Sequence, residues 1–191
     1  MKVGILALQG AFAEHFGALQ RLDVEATQVY LPKHLDSLDA LIIPGGESTA
    51  ISRLMADFDL VRPIRGLATE GLPIMGTCAG LVLLATDVTD NSVPTLGVMD
   101  IKVKRNAFGR QVDSFETDLA VPVLGEEAFR AVFIRAPVIE EVGSGVEVLA
   151  RLPDGVAVAA RQGKLVGCAF HPELTEDLRF HRYFLEIAAA R

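Results

Sequence analysis

Residues 72–85 read Leu72-Pro73-Ile74-Met75-Gly76-Thr77-Cys78-Ala79-Gly80-Leu81-Val82-Leu83-Leu84-Ala85. A short apolar strand, Leu72–Met75, runs into Gly-Thr-Cys-Ala-Gly and out again into an apolar helix, Leu81–Ala85. Strand, G-x-nucleophile-x-G, helix is the order of a nucleophile elbow. The turn is too tight for side chains at 76 and 80, so both positions call for glycine. The residue between them is pushed clear of the backbone at the C-terminal edge of a sheet. A helix N-terminus beneath Cys78 favours the thiolate, the reactive form of the side chain. A structural cysteine in a Gly-rich turn would carry the same five letters, so the assignment needs support elsewhere in the chain.

Outward from this stretch, apolar runs alternate with helical patterns. Val3–Leu8, Val24–Tyr30 and Leu41–Ile43 read as strands; Ala11–Leu22, Ser48–Phe58 and Leu60–Thr69 carry apolar residues at helical spacing. Continuous apolar strands separated by helices indicate a parallel sheet buried on both faces, joined by right-handed crossovers. The second half changes character. Gly97–Lys104, Phe115–Val123, Ala131–Arg135, Val146–Leu152, Val156–Arg161 and Lys164–Phe170 read as strands at short spacing, with Gln162-Gly163 as a hairpin turn between the last two. Thr175 is placed to cap a final helix, with Glu176 and Asp177 in its first turn. No linker, repeat or low-complexity stretch divides residues 1–191, which predicts one α/β domain whose mostly parallel sheet is extended by antiparallel strands.

Composition narrows the function. Half of the 191 residues are hydrophobic, enough for a sizeable core, and the net charge is −7. So acidic a chain, with no Lys/Arg cluster, is poorly suited to nucleic acid. No apolar run approaches the ~20 residues that span a bilayer, and the opening MKVGILALQG is too short for a signal peptide. The two cysteines, Cys78 and Cys168, do not make a disulfide framework, and neither stands at zinc-ligand spacing. Cys168 reads as a small buried hydrophobe in a strand. A cytoplasmic protein of a reducing compartment, away from membranes, is expected.

A cysteine nucleophile needs a base. Of the four histidines, His15, His34 and His181 read as solvated or packed side chains. His171 differs, because it closes the strand Lys164–Phe170 in His171-Pro172-Glu173. Pro172 disfavours the α region for the residue before it and keeps His171 extended. In an extended segment residues two apart point the same way, so Glu173 is placed to orient the imidazole. Nucleophile, base and orienting carboxylate then follow in the order Cys78, His171, Glu173. A third motif, Pro44-Gly45-Gly46-Glu47-Ser48-Thr49, also leaves a strand for a helix. Its paired glycines expose backbone N–H groups suited to a developing oxyanion. It has no Lys after the glycines, and LALQG lacks a dinucleotide fingerprint, so no metal, nucleotide, flavin or other cofactor is called for.

GTCAG, PGGEST and FHPE together resemble the class I glutamine amidotransferases. LALQGAFAEH (6–15), RNAFGRQVDSFE (105–116), VFIRAP (132–137) and GCAFHPELTED (167–177) resemble the branch of glutaminase subunits that serve pyridoxal 5′-phosphate synthase. The resemblance implies a flavodoxin-like three-layer α/β sandwich, L-glutamine as substrate, and a separate, activating synthase subunit in a hetero-oligomeric complex. It implies Cys78, His171 and Glu173 as catalytic residues and the backbone N–H groups of Ala79 and Gly46 as oxyanion hole. It further implies that Gly46, Glu47, Ser48, Arg105, Ile134 and Arg135 contact glutamine; the residues alone would leave Arg105 and Arg135 as surface charges. Rival readings are a class I glutaminase serving another synthase, a γ-glutamyl hydrolase-like cysteine enzyme, and a regulatory subunit without activity. The last would be expected to lack Cys78 or His171.

Overall fold

The apolar runs that come to lie at the centre of the sheet are also the most deeply buried. The computed structural model describes residues 1–89, 92–107 and 114–190. In its first half β1 (Lys2–Leu6), α1 (Phe12–Arg21), β2 (Glu25–Val29), β3 (Ala40–Ile43), α2 (Ser48–Asp57), α3 (Val61–Thr69), β4 (Ile74–Thr77) and α4 (Ala79–Leu84) follow one another. The second half brings β5 (Ala85–Val88), β6 (Met99–Lys104), β7 (Ser114–Leu119), β8 (Phe129–Ile134), β9 (Val138–Val142), β10 (Glu147–Arg151), β11 (Ala157–Gln162), β12 (Leu165–Cys168) and α5 (Arg179–Ala189). The main sheet runs β2-β1-β3-β4-β12-β11-β9-β6-β5, with β10 also on β11. From β2 to β12 every pairing is parallel. Every residue of β3, β4 and β12 is buried, as expected of strands covered on both faces.

The connection from β1 to β2 runs one way along the sheet and that from β3 to β4 the other. Right-handed crossovers therefore set α1 on one face and α2 and α3 on the opposite one. α5 joins α1, since His181 meets His15 at 3.0 Å. The result is the three-layer α/β sandwich that the motifs implied. The strand order reverses between β1 and β3, so the loops after these strands flank a crevice at the C-terminal edge of the sheet. β7 and β8 form a separate antiparallel ribbon. Aromatic contacts hold it down: Phe133 packs on Phe170 with ring centroids at 5.8 Å, and Phe170 on Phe180 of α5 at 5.2 Å. Each fully buried Phe contributes about 2–3 kcal/mol of burial.

Four local expectations change. β11 pairs with β12 through Gln162 and Leu165, so the hairpin turn is Gly163-Lys164, and Gly163 supplies the positive φ of +58°. Thr175 does not cap α5: its hydroxyl donates to Pro172 O at 3.1 Å. Asp177 instead accepts the N–H of Arg179, the first residue of α5, at 3.0 Å, so neither Glu176 nor Asp177 lies inside the first turn. The strand begun at Phe115 ends at Leu119, because Pro122–Leu124 is a 3₁₀ turn. β5 and β9 were not foreseen; β5 begins where the apolar run of α4 ends, with no punctuating Gly or Pro. Among the described residues no helix is long and apolar enough to cross a membrane.

Candidate active site

β4 ends at Thr77, and the chain reverses into α4 through Cys78 alone. Cys78 has φ +48° and ψ −101°, a conformation that costs an L-residue about 1–3 kcal/mol. Its N–H donates to Cys168 O at 2.8 Å, tying the elbow to β12. The flanking glycines are required sterically. A Cβ on Gly76 would stand 2.6 Å from the Gly80 carbonyl carbon, and one on Gly80 only 2.0 Å from Ile43 O. The sulfur is less open than an elbow suggests: Cys78 is 7% exposed, because the surrounding loops rise around it.

His171 follows β12 by three residues. Its N–H donates to Val132 O at 2.8 Å, and its Nδ1 lies 2.7 Å from Glu173 Oε1. The reason differs from the one the sequence suggested. Pro172–Leu174 is a 3₁₀ turn, not extended chain, so the carboxylate meets the ring across a tight turn. Burial disfavours the imidazolium, but hydrogen bonds to Cys78 and Glu173 outweigh it and raise the His171 pKa to about 10. Burial opposes ionisation of Glu173 too, yet the neighbouring His15 and His171 hold its carboxyl below the ordinary range. Cys168 is fully buried, and burial pushes its thiol well above the usual value.

A cleft of about 390 Å³ opens over Cys78. His171, Ala79 and Gly46 line it beside the sulfur, and Glu47, Ser48, Arg105, Ile134 and Arg135 form its rim. Every side chain and backbone group singled out from the sequence thus converges here except Glu173, which stands behind His171. Gly45 makes the close approach possible: a Cβ there would lie 2.4 Å from His171 Cε1 and 3.3 Å from Cys78 Cβ. Its carbonyl accepts the Ala11 N–H at 2.9 Å, and its N–H donates to Thr77 Oγ1 at 3.0 Å. The Gly45–Gly46 peptide therefore has a defined orientation.

Glu47, which the resemblance places against glutamine, is not a buried acid. Half-exposed, it caps α2, accepting the N–H groups of Thr49 at 3.0 Å and Ala50 at 2.7 Å. Arg105 is no ordinary surface charge either: its guanidinium reaches Glu47 Oε1 at 3.3 Å and Ser92 Oγ at 2.8 Å. Partial burial opposes ionisation of Glu47, but the backbone N–H groups and Arg105 hold its pKa low. Arg135 takes positive φ, +42°, at the rim. Residues 108–113 of the run 105–116, including Gln111 and Asp113, lie outside the described residues.

Sequence reasoning passed over Gln9 and Asn106, which also line the cleft. Gln9 Oε1 accepts the Glu47 N–H at 2.8 Å; its only signal was its place in LALQG, directly after an apolar strand. A larger groove of about 960 Å³ between α2, α3 and Pro94–Leu96 contains no cysteine or histidine. Among the described residues no group of His, Cys, Asp and Glu could hold a metal ion.

An elbow cysteine, a histidine and a buried carboxylate at the C-terminal edge of a parallel sheet form the arrangement of cysteine-dependent α/β enzymes. Within that class the chain belongs to the SNO glutamine amidotransferase family, whose model matches residues 5–190. It is 62% identical over 188 residues to the pyridoxal 5′-phosphate synthase subunit PdxT of Herpetosiphon aurantiacus, covering 97% of this chain and 99% of that one. The protein of the same name from Pelotomaculum thermopropionicum is 60% identical, with 97% and 94% covered. A solved structure described as a glutamine amidotransferase superimposes with a TM-score of 0.93 at 52% identity, covering 98% of this chain and 99% of that one.

Proposed function

We propose that the chain is the glutaminase subunit of a pyridoxal 5′-phosphate synthase, hydrolysing L-glutamine to L-glutamate and ammonia and delivering the ammonia to a synthase subunit. The observation that carries the reading is the line from Cys78, strained beneath the cleft, through His171 to Glu173 Oε1 at 2.7 Å. Cys78 attacks the side-chain amide carbon, and His171, protonated at rest, gives its proton to the departing nitrogen. A γ-glutamyl thioester remains. His171 then takes a proton from water, which attacks the thioester carbon and frees Cys78 and glutamate. Glu173 keeps the imidazole in one orientation and stabilises its charged form.

Both steps pass through oxyanions, for which the N–H groups of Ala79 and Gly46 are the donors. Gly46, Glu47, Ser48, Arg105, Ile134 and Arg135 hold the substrate. The guanidinium groups suit a carboxylate, and Glu47 acts with Arg105 as one paired unit. Residues 1–191 act as one glutaminase domain, a reading supported by the family match over 5–190, and the cytoplasm is its proposed place of work. Identities of 60% and more to subunits named for pyridoxal 5′-phosphate synthase favour that acceptor over another synthase. The test is glutamate release from glutamine, with and without the purified synthase subunit. No release under either condition, or release undiminished in Cys78→Ala, would overturn the proposal.

A further inference from the structure

Two histidines outside the proposed triad lie directly behind it. His15, from α1, and His181, from α5, are both fully buried. Nδ1 of His15 is 3.0 Å from Nε2 of His181. Nε2 of His15 is 3.2 Å from Thr77 Oγ1 and 3.5 Å from Glu173 Oε2. Thr77 Oγ1 also accepts the Gly45 N–H, and the other oxygen of Glu173 meets His171. One imidazole edge therefore faces both the triad carboxylate and the residue that accepts the Gly45 N–H.

The proton positions follow from what each arrangement leaves unmet. If His15 carried its proton on Nδ1, it would donate to His181, whose own proton would then sit on Nδ1. That atom is buried without a partner, as is Glu173 Oε2. A buried N–H and a buried carboxylate oxygen would both go unanswered. If His181 instead donates from Nε2 to His15 Nδ1, the His15 proton lies on Nε2, between Thr77 and Glu173. The carboxylate oxygen then faces a donor, and what is left over is uncharged: a lone pair on His181 Nδ1 and the hydrogen of the Thr77 hydroxyl, whose oxygen accepts from Gly45 and faces His15. The second arrangement is favoured because it leaves no buried charge unanswered, and an unmet charge costs more than an unmet neutral group. Both rings are neutral: burial lowers the pKa of His15 and pushes that of His181 down to about 3.

We infer that His15 is a positioning residue, an Nε2–H donor whose tautomer His181 sets and which holds the Glu173 carboxylate and the Thr77 hydroxyl in place. Through Glu173 it fixes the ring of His171; through Thr77 it fixes Gly45 and the loop that supplies the Gly46 N–H. The inference rests on the glutaminase reading above for its effect on turnover, but its structural core does not. In the full-length wild-type chain, ¹⁵N-resolved NMR of the histidine side chains should report neutral Nε2–H tautomers for both His15 and His181. An Nδ1–H tautomer or an imidazolium at His15 near neutral pH would overturn the assignment.

Turnover supplies the second arm, measured in the complex with the synthase subunit. The amide of His15→Gln reaches where Nε2 stands, whereas that of His15→Asn reaches only the Nδ1 position. His15→Asn should lower kcat about 10–100-fold with KM for glutamine within about threefold, and His15→Gln should recover most of the loss. Unchanged kcat in His15→Asn, or equal losses in both variants, would mean that the ring only fills space, and the inference fails. Absence of glutamine hydrolysis by the wild-type complex would strike at the glutaminase reading instead, leaving the tautomer result to stand by itself.

Discussion

Cys78 holds its strained backbone because three contacts over-determine it: the N–H bond to Cys168, and the two glycines packed against each other and against Ile43. Removing the sulfur should therefore abolish hydrolysis without unfolding the chain. Cys78→Ala is expected to show no detectable glutaminase activity and still to unfold cooperatively, with a Tm lowered by the His171 contact it gives up; retained activity would displace the nucleophile. Cys168→Ala should keep most activity and lose about 1 kcal/mol of stability, since it only shortens a buried side chain in β12. The same residues set the response to pH. His171, raised to about 10, contributes stability that is complete below the unfolded value near 6.5 and is lost as pH climbs through 10. His181 works in the opposite direction. Its folded pKa is depressed to about 3, so below 6.5 the unfolded ring takes up a proton that the buried ring refuses. Stability falls between pH 6.5 and 3, and His15, also lowered, adds to the loss. Thermal melts across pH should peak near neutrality. His181→Gln should flatten the acid limb and Cys78→Ala the alkaline one; limbs unchanged in both folded variants would refute these assignments.

At the level of elements, the two Gly-rich turns do different work, and a methyl group separates them. In Gly80→Ala the new Cβ would meet the Ile43 carbonyl at 2.0 Å, backbone against backbone, where nothing yields. That variant should lose about 3 kcal/mol or more, read by denaturant titration. In Gly45→Ala the obstacle is the His171 ring at 2.4 Å. The ring swings away at modest cost in stability, but kcat should fall on the order of 10²-fold, because the base is then misplaced by about an ångström. A Gly45→Ala enzyme with normal turnover would show that His171 has no fixed post. Both turns were legible in the sequence, because a strand followed by paired glycines and a helix has few other uses. The parallel strands were legible as well, their apolar runs being uninterrupted. The HPE contact was read correctly for the wrong reason, since a proline fixes its own φ but does not say whether the chain beyond it extends or turns. The role of Glu47 was hidden, because whether an acid caps a helix or meets a ligand depends on where Arg105, 58 residues later, comes to rest. His15 and His181 were hidden for the same reason: 166 residues separate two rings that meet at 3.0 Å.

For the whole molecule the question is what keeps hydrolysis from running without an acceptor. Ammonia released into water is quickly protonated, and ammonium is no nucleophile, so uncoupled turnover wastes glutamine. Control belongs at an element that a partner can reach and that the chemistry needs, and the Gly45–Gly46 peptide meets both conditions. Its Gly46 end is exposed in the open cleft, and its N–H is half of the proposed oxyanion hole. Glycines at both positions tolerate alternative backbone angles. In the isolated chain the Gly45 carbonyl is tied to the Ala11 N–H at 2.9 Å, and a neighbouring donor, the Gly45 N–H, is tied to Thr77. A reorientation of this peptide therefore costs about one hydrogen bond, near 1 kcal/mol, a difference between states that binding of a protein surface easily offsets. The synthase subunit should accordingly raise kcat at least tenfold while changing KM for glutamine much less, because a donor to the oxyanion acts on the transition state and not on the bound amide. Steady-state glutaminase kinetics across a titration of the synthase subunit measure this directly. Replacing Ala11 by proline removes the N–H that holds the Gly45 carbonyl, and should raise the basal rate of the isolated chain toward that of the complex. Full activity of the wild-type chain alone, unchanged by saturating partner, would end the gating argument and leave the chemistry of Cys78 and His171 untouched.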